Sequence, residues 1–200
     1  METVALAGAD MRKAYSGIAD HVASSSGEYP IAVVGIADAG VTVAKRAAYF
    51  LQTEFRDAIS RNAAKEGIPV GTLNPYLYRD DHALFYVEPK KNDDDNLQID
   101  GCDVFLVDSV IYRGRTARAA LDALMDYGRP RRIMLATVVD RVVREMPIHP
   151  DYSHRELELD DHTRLTIEEG SNVDGSFDRM LAEHIRRRDG VDRQRVEFNR

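Results

Sequence analysis

The sequence has no tryptophan and a single cysteine, and the second shortage removes whole classes of protein. Cys102 alone cannot close an internal disulfide or build a multi-thiolate metal site, so disulfide scaffolds and zinc ribbons are excluded and a reducing compartment is expected. No apolar run approaches the roughly 18 residues that a membrane-spanning helix needs. The opening Met1-Glu2-Thr3-Val4-Ala5-Leu6 lacks the basic flank and long apolar stretch of a leader, which predicts a cytoplasmic chain with no membrane partner. His21, His82, His149, His154, His162 and His184 are scattered without metal-ligand spacing, so no transition metal is expected. Ser24-Ser25-Ser26 lacks the flanks of a nucleophile elbow, which leaves a hydrolase without support. Positive charge is short as well. Lys and Arg number 27 against 34 Asp and Glu, a formal charge of −7, and an acidic body opposes the counterion release from which nucleic-acid binding draws its affinity.

Two hundred residues with 44% apolar and 30% charged side chains suit one compact domain, and exclude disorder throughout. Met11, Tyr15, Ile18 and Val22 recur at helical spacing, predicting a helix from about Asp10 to Ala23. Ile31 to Ile36 is a short continuous apolar run, the pattern of a strand buried on both faces of a parallel sheet. Asp38-Ala39-Gly40 reads as a turn, after which Val41, Ala44, Ala48 and Leu51 give a second helix its stripe. A polar strand is expected from Val70 to Tyr78, although Pro75 interrupts it. The stretch from Arg79 to Asp103, with Glu88 to Asn96 at its centre, reads as a mobile polar loop.

Val104 to Val107 is the next buried strand, Asp108 to Arg115 a turn around a glycine, and Ala117, Ala120, Leu121 and Leu124 carry a helix to about Tyr127. Gly128 and Pro130 stop it. Ile133 to Val139 is a third buried strand ending at Asp140-Arg141, and Thr163 to Ile167 a last short one. Strands alternating with helices predict an α/β fold, an open, mostly parallel sheet with flanking helices. Residues 1–175 are expected to form its domain, and residues 176–200 a C-terminal helix and basic tail.

In such sheets ligands lie beyond the carboxyl ends of the strands, where helix N-termini point free N–H groups outward. Ala37 to Gly40, Asp108 to Thr116 and Asp140 to Arg144 meet that description. In Asp108-Ser109-Val110-Ile111-Tyr112-Arg113-Gly114-Arg115-Thr116 the glycine lets backbone approach an anion, Thr116 offers a hydroxyl, and Asp108 can accept from sugar hydroxyls. A plain helix cap with an incidental aspartate explains the same residues.

The run from Val107 to Thr116 resembles the phosphoribosyl diphosphate (PRPP) motif of type I phosphoribosyltransferases, usually Val-Asp-Asp-Val-Leu-Tyr-Thr-Gly-Arg-Thr. Within that family the chain is similar to the bacterial pyrimidine operon regulators (PyrR), relatives of uracil phosphoribosyltransferase. Leu77-Tyr78-Arg79-Asp80-Asp81, Gly128-Arg129-Pro130, Val139-Asp140-Arg141, Arg144-Glu145-Met146-Pro147-Ile148 and Asp151-Tyr152 carry the likeness, which spans about Met11 to Gly170. It implies the type I phosphoribosyltransferase fold. It also implies ribose and phosphate binding by Asp108, Ser109, Tyr112, Arg113, Gly114, Arg115 and Thr116, and diphosphate binding by Ala37, Asp38, Ala39 and Gly40. Val139, Asp140 and Arg141 would recognise a pyrimidine base. Magnesium would accompany PRPP if PRPP binds, and a homodimer is expected.

The departures bear on the most charged part of the substrate. Ser109 replaces the second acid that holds the ribose hydroxyls, and Arg113 replaces a phosphate-binding threonine. The first loop has no basic residue and adds Asp38; two like charges about 4 Å apart repel by roughly 4 kcal/mol at an effective dielectric near 20. These changes predict a regulatory or nucleotide-binding protein with lost or weakened transfer, the alternative being an active uracil phosphoribosyltransferase, with or without RNA-binding attenuation activity, in which Arg113 and a loop lysine, Lys90 or Lys91, compensate. RNA remains a partner to test but is disfavoured by the acidic body, with Arg144 and Arg155 as the remaining phosphate contacts. Asp140 and Arg141 would equally serve as a structural ion pair.

Overall fold

The computed structural model describes residues 2–59, 68–80 and 97–185. The elements run β1 (Glu2–Ala7), α1 (Ala9–Ser25), β2 (Ile31–Ile36), α2 (Ala37–Thr53), β3 (Val70–Leu73) and β4 (Asp103–Ile111). They continue through α3 (Arg115–Leu124), β5 (Arg132–Asp140), β6 (Tyr152–Glu156), β7 (Thr163–Glu168) and β8 (Arg179–His184), with single 3-10 turns at Tyr76–Tyr78 and Met125–Tyr127.

Five strands form one parallel sheet in the order β3-β2-β4-β5-β6. Burial on both faces explains why its central strands are apolar at every position rather than at alternate ones. Along β2, Ile31 and Val33 face a core shared with α1 and α2, while Ala32, Val34 and Ile36 face a second core shared with α3. The helical stripe of α1 is realised in full, with Met11, Tyr15, Ile18 and Val22 all buried. The fold is the expected α/β one, an open parallel sheet flanked by helices, with a small antiparallel sheet beside it.

Several expectations need correction. The strand foreseen from Val70 to Tyr78 ends at Leu73, and Tyr76–Tyr78 is a 3-10 turn, because Pro75 cannot donate to a ladder. The polar loop foreseen up to Asp103 is packed at its end: Leu97 and Ile99 are buried, and Leu97 fills the space over Gly71. Lys90, Lys91 and the acidic run beside them lie outside the described residues. The turn foreseen from Asp108 is strand as far as Ile111, since β5 continues alongside and pairs Asp108, Val110 and Ile111 with Thr137, Val139 and Asp140.

Thr163 to Glu168 does not join the main sheet but forms an antiparallel three-stranded sheet, β1-β8-β7. Of the C-terminal helix and basic tail foreseen over residues 176–200, Arg179–His184 is strand β8, and residues 186–200 lie outside the described ones. Met, Leu, Ala and Glu favour helix locally, but pairing on both edges, with Glu2–Ala7 and Thr163–Glu168, overrides that preference.

Candidate functional site

A cavity of about 630 Å³ opens at the carboxyl end of β4. It is lined by one continuous stretch from Val110 to Ala117, by Asp108 from the strand itself, and by Arg79, Asp80, Glu145 and Asp161 from three other segments. The strand delivers Asp108, the turn Tyr112-Arg113-Gly114 leaves it, and α3 begins at Arg115. Gly114 caps that helix at φ +85°, in the left-handed region, and a Cβ there would come 3.1 Å from Met146 Cβ, so both backbone and space require glycine.

Asp108 sits deep in the cavity and its Oδ1 accepts the Ser109 N–H at 2.7 Å. Burial pushes its carboxyl up to about 6, opposed by the N–H groups of Ser109 and Val110. Ser109 is itself buried and gives the site no second charge. Thr116 Oγ1 accepts from Arg79 Nη1 at 2.8 Å, so the helix-start hydroxyl is already engaged.

The two arginines of the turn are paired with carboxylates. Arg113 Nη1 lies 3.0 Å from Glu145 Oε1, and its Nη2 lies 3.2 Å from Asp161 Oδ2. Arg115 Nη1 is 2.5 Å from Asp80 Oδ2, and its Nε is 2.5 Å from Glu145 Oε2. Tyr112 donates its hydroxyl to Asp161, and that bond, with the nearby Arg113 charge, holds the Asp161 carboxyl below its ordinary value. Four acids thus line the cavity against three arginines.

The other foreseen site residues are placed differently. Ala37, Asp38, Ala39 and Gly40 do not form a separate loop. They are the first turn of α2, entered through Ala37 at φ +49°, and none of them lines the cavity. Gly40 nevertheless abuts the site from behind, since a Cβ on it would meet Val107 O at 2.5 Å and Asp108 Cα at 3.2 Å. Asp38 is exposed and no cation stands in that turn.

Val139 is a core residue and Asp140 and Arg141 are buried. They do not pair with each other: Asp140 is held by Arg144, and Arg141 donates to the carbonyls of Leu159, Asp160 and Thr163. The Arg141 guanidinium also lies 3.9 Å from the centre of the Tyr112 ring. Arg144, foreseen as a phosphate contact for RNA, is spent inside the protein on Asp140 and on the carbonyls of Tyr112, Val143 and Ile148. Arg155 is exposed, with Asp10 at 4.0 Å.

Sequence reasoning did not single out Glu145 or Asp161 as pocket residues. Glu145 arrives because its N–H and that of Met146 both donate to Arg113 O, a tertiary contact without a local signal. Asp161 sits in the Asp160-Asp161-His162 turn before β7, fixed by Arg141 from across the site. Among the described residues no group of three or more His, Cys, Asp or Glu could hold a metal ion.

Comparison with known proteins places the site in context. Residues 8–170 match the family described as phosphoribosyl transferase domain. The chain is 40% identical over 172 residues to bifunctional protein PyrR 1 of Lactiplantibacillus plantarum, covering 82% of this chain and 90% of that protein. It is 44% identical over 147 residues to bifunctional protein PyrR of Syntrophobacter fumaroxidans, covering 72% and 74%. With that of Thermus aquaticus it shares 38% over 186 residues, covering 92% and 89%. Among solved structures it is similar to a purine phosphoribosyltransferase from Pyrococcus horikoshii, with TM-score 0.54, 17% identity and coverage of 76% of this chain and 86% of that one. A hypoxanthine phosphoribosyltransferase from Staphylococcus aureus gives TM-score 0.52 at 13% identity, covering 78% and 77%.

Proposed function

The chain belongs to the phosphoribosyltransferase family, and from that premise we propose a PyrR-like regulatory protein that binds a nucleotide and in which phosphoribosyl transfer is lost or much weakened. One observation carries this reading: acids outnumber arginines around the cavity, and both arginines of the phosphate turn are already matched by carboxylates. PRPP brings a 5′-phosphate to this pocket and a diphosphate to the first turn of α2. The 5′-phosphate must displace the carboxylates on Arg113 and Arg115, as a monophosphate must, but the diphosphate adds further negative charge where no cation offsets it, so PRPP gains little.

Catalysis in this family depends on positioning and charge. The base attacks the anomeric carbon as diphosphate leaves, and the protein must hold ribose and diphosphate in line and exclude water. Here Asp108 can accept ribose hydroxyls and the N–H groups at the start of α3 can face a 5′-phosphate. Ser109 contributes no charge to the ribose, and the first turn of α2 offers no cation to the diphosphate. If PRPP binds, a magnesium ion held with the diphosphate would supply neutralisation of that leaving group, since among the described residues no group of three or more His, Cys, Asp or Glu could hold the ion. A nucleoside monophosphate needs only the 5′-phosphate and ribose positions, which are the better preserved ones.

The decisive experiment supplies radiolabelled uracil, PRPP and magnesium to the purified protein, with calorimetry of PRPP and of uridine and guanosine monophosphates alongside. The reading expects monophosphate binding with no turnover. Uridine monophosphate formed at a few turnovers per minute, or tight magnesium-dependent capture of PRPP, would overturn it and favour the active uracil phosphoribosyltransferase. The retention of Asp108, Gly114, Arg115 and Thr116 supports that second reading.

A further inference from the structure

Arg113 and Arg115 hold anions that are the protein's own. Glu145 gives one carboxylate oxygen to each guanidinium, Asp161 takes the second nitrogen of Arg113, and Asp80 takes a terminal nitrogen of Arg115. These three carboxylates come from separate segments and converge on one turn at the start of a helix. That convergence puts negative charge at a helix start, where free backbone N–H groups favour an anion.

The geometry points to a carboxylate latch on this site: Asp161 and Glu145 occupy the Arg113 and Arg115 guanidinia in the absence of ligand, and a nucleoside monophosphate binds by exchanging its phosphate for them. The proposal rests on the nucleotide-binding reading and adds how that binding is regulated. Asp161 is the member that releases first. Its side chain is 62% exposed, whereas Glu145 is 35% exposed and its segment is tied down by two backbone bonds to Arg113 O.

Release of Asp161 changes two things together. The same carboxylate that pairs with Arg113 also receives the Tyr112 hydroxyl, and the Arg113 guanidinium lies 5.0 Å from the Tyr112 ring centre. Letting go of Asp161 therefore frees one nitrogen of the Arg113 guanidinium and the Tyr112 hydroxyl side by side, two donors that suit a phosphate. Arg141 keeps the device in register. Its guanidinium fixes the carbonyls of Leu159, Asp160 and Thr163, which flank Asp161, and lies against the Tyr112 ring.

Calorimetry with uridine monophosphate and with inorganic phosphate tests the latch on the full chain, comparing wild type, D161N, E145Q, R113T and R113T/D161N. Removing one exposed competing carboxylate should tighten both probes about two- to fivefold in D161N. E145Q, which removes the one carboxylate shared by both guanidinia while Asp161 stays on Arg113 and Asp80 on Arg115, should tighten them as well, and the D161N gain should vanish in the R113T background. If wild type takes up neither probe, D161N and E145Q should acquire binding. Unchanged or weaker binding in D161N and E145Q overturns the latch. So does a D161N gain that survives in R113T, which would reflect nothing more than one negative charge fewer. Turnover of PRPP by the wild type would instead overturn the functional reading, so the two failures are told apart.

Discussion

Arg144 Nη2 reaches both carboxylate oxygens of Asp140, at 2.7 and 2.6 Å, in a pair whose side chains are only 11% and 9% exposed. The pair fastens the end of β5 to the phosphate turn, because Arg144 Nη1 also donates to Tyr112 O at 2.8 Å and Asp140 Oδ1 accepts from Val142 N at 2.7 Å. Val142 needs that hold, being a β-branched residue at φ +60°. Removing Asp140 strands a buried guanidinium, so D140A should lose about 3–5 kcal/mol of folding free energy. D140N, which keeps an acceptor, should lose less. Urea unfolding of both variants checks the order, and equal losses would mean that the charge holds the pair and a neutral acceptor contributes nothing.

Asp108 carries a carboxyl raised by burial to about 6, against an ordinary value near 4. A carboxyl raised by folding keeps its proton in the native state at pH values where the unfolded chain has lost it. Its contribution to stability is thus greatest below pH about 4 and declines as pH rises towards 6. At neutral pH the ionised group is a burden, and D108N, which preserves the acceptor for Ser109 N, should stabilise the protein by about 1–3 kcal/mol. The burden is understandable if the carboxylate accepts ribose hydroxyls. Uridine, which has no phosphate to titrate, should then bind less well below pH 6 and hardly at all to D108N. A stabilised D108N with undiminished uridine affinity would remove Asp108 from the ribose site.

How much of this was legible in the sequence depended on whether the signal was local. The buried strands Ile31–Ile36 and Arg132–Asp140 and the stripe of α1 are written in periodicity, since burial acts on each residue in its own element. The phosphate turn was legible because glycine at positive φ and a helix start are local requirements. Strand β8 was not, because Arg179–His184 is strand only by virtue of its partners, Thr163–Glu168 on one edge and Glu2–Ala7, far away in the chain, on the other. Glu145 and Asp161 were missed for the same reason: a carboxylate becomes a latch only when the fold brings an arginine to it. Asp140 and Arg141, adjacent in sequence and read as one unit, turn out to serve different partners on different segments.

Asp178 is fully buried and joins three elements. Its Oδ2 accepts from Tyr15 Oη at 2.9 Å and Arg46 Nε at 3.1 Å, and its Oδ1 accepts from Gly170 N at 2.8 Å. D178A would leave Tyr15 without its acceptor and Arg46 with only the Gly170 carbonyl and no counter-charge, and should cost about 3–5 kcal/mol; Y15F, which removes one neutral hydroxyl, should cost about 1 kcal/mol. Burial, then the Asp178 charge, pushes the Tyr15 phenol well above its ordinary value. The unfolded phenol ionises near pH 10 while the folded one stays protonated, so its contribution is present below that pH and lost as pH rises above it. Stability measured from pH 9 to 11 should fall more steeply for wild type than for Y15F. Parallel curves would show that Tyr15 titrates freely in the folded protein.

Gly40 ties the first turn of α2 to the floor of the pocket. A methyl there would come 2.5 Å from Val107 O and 3.2 Å from Asp108 Cα, and both are backbone atoms of a central strand that cannot rotate away. The helix must therefore move instead. G40A should destabilise by about 1–3 kcal/mol and, by moving the α2 entry away from the strand that carries Asp108, should also weaken uridine monophosphate binding. Gly27 supplies the control: a Cβ added there meets nothing within 4 Å, so G27A should change stability by less than about 0.5 kcal/mol. If G40A loses stability but binds the monophosphate as wild type does, the α2 entry is scaffolding alone. Loss of both, with G27A unaffected, would keep that turn within reach of the bound ligand even though it carries no cation.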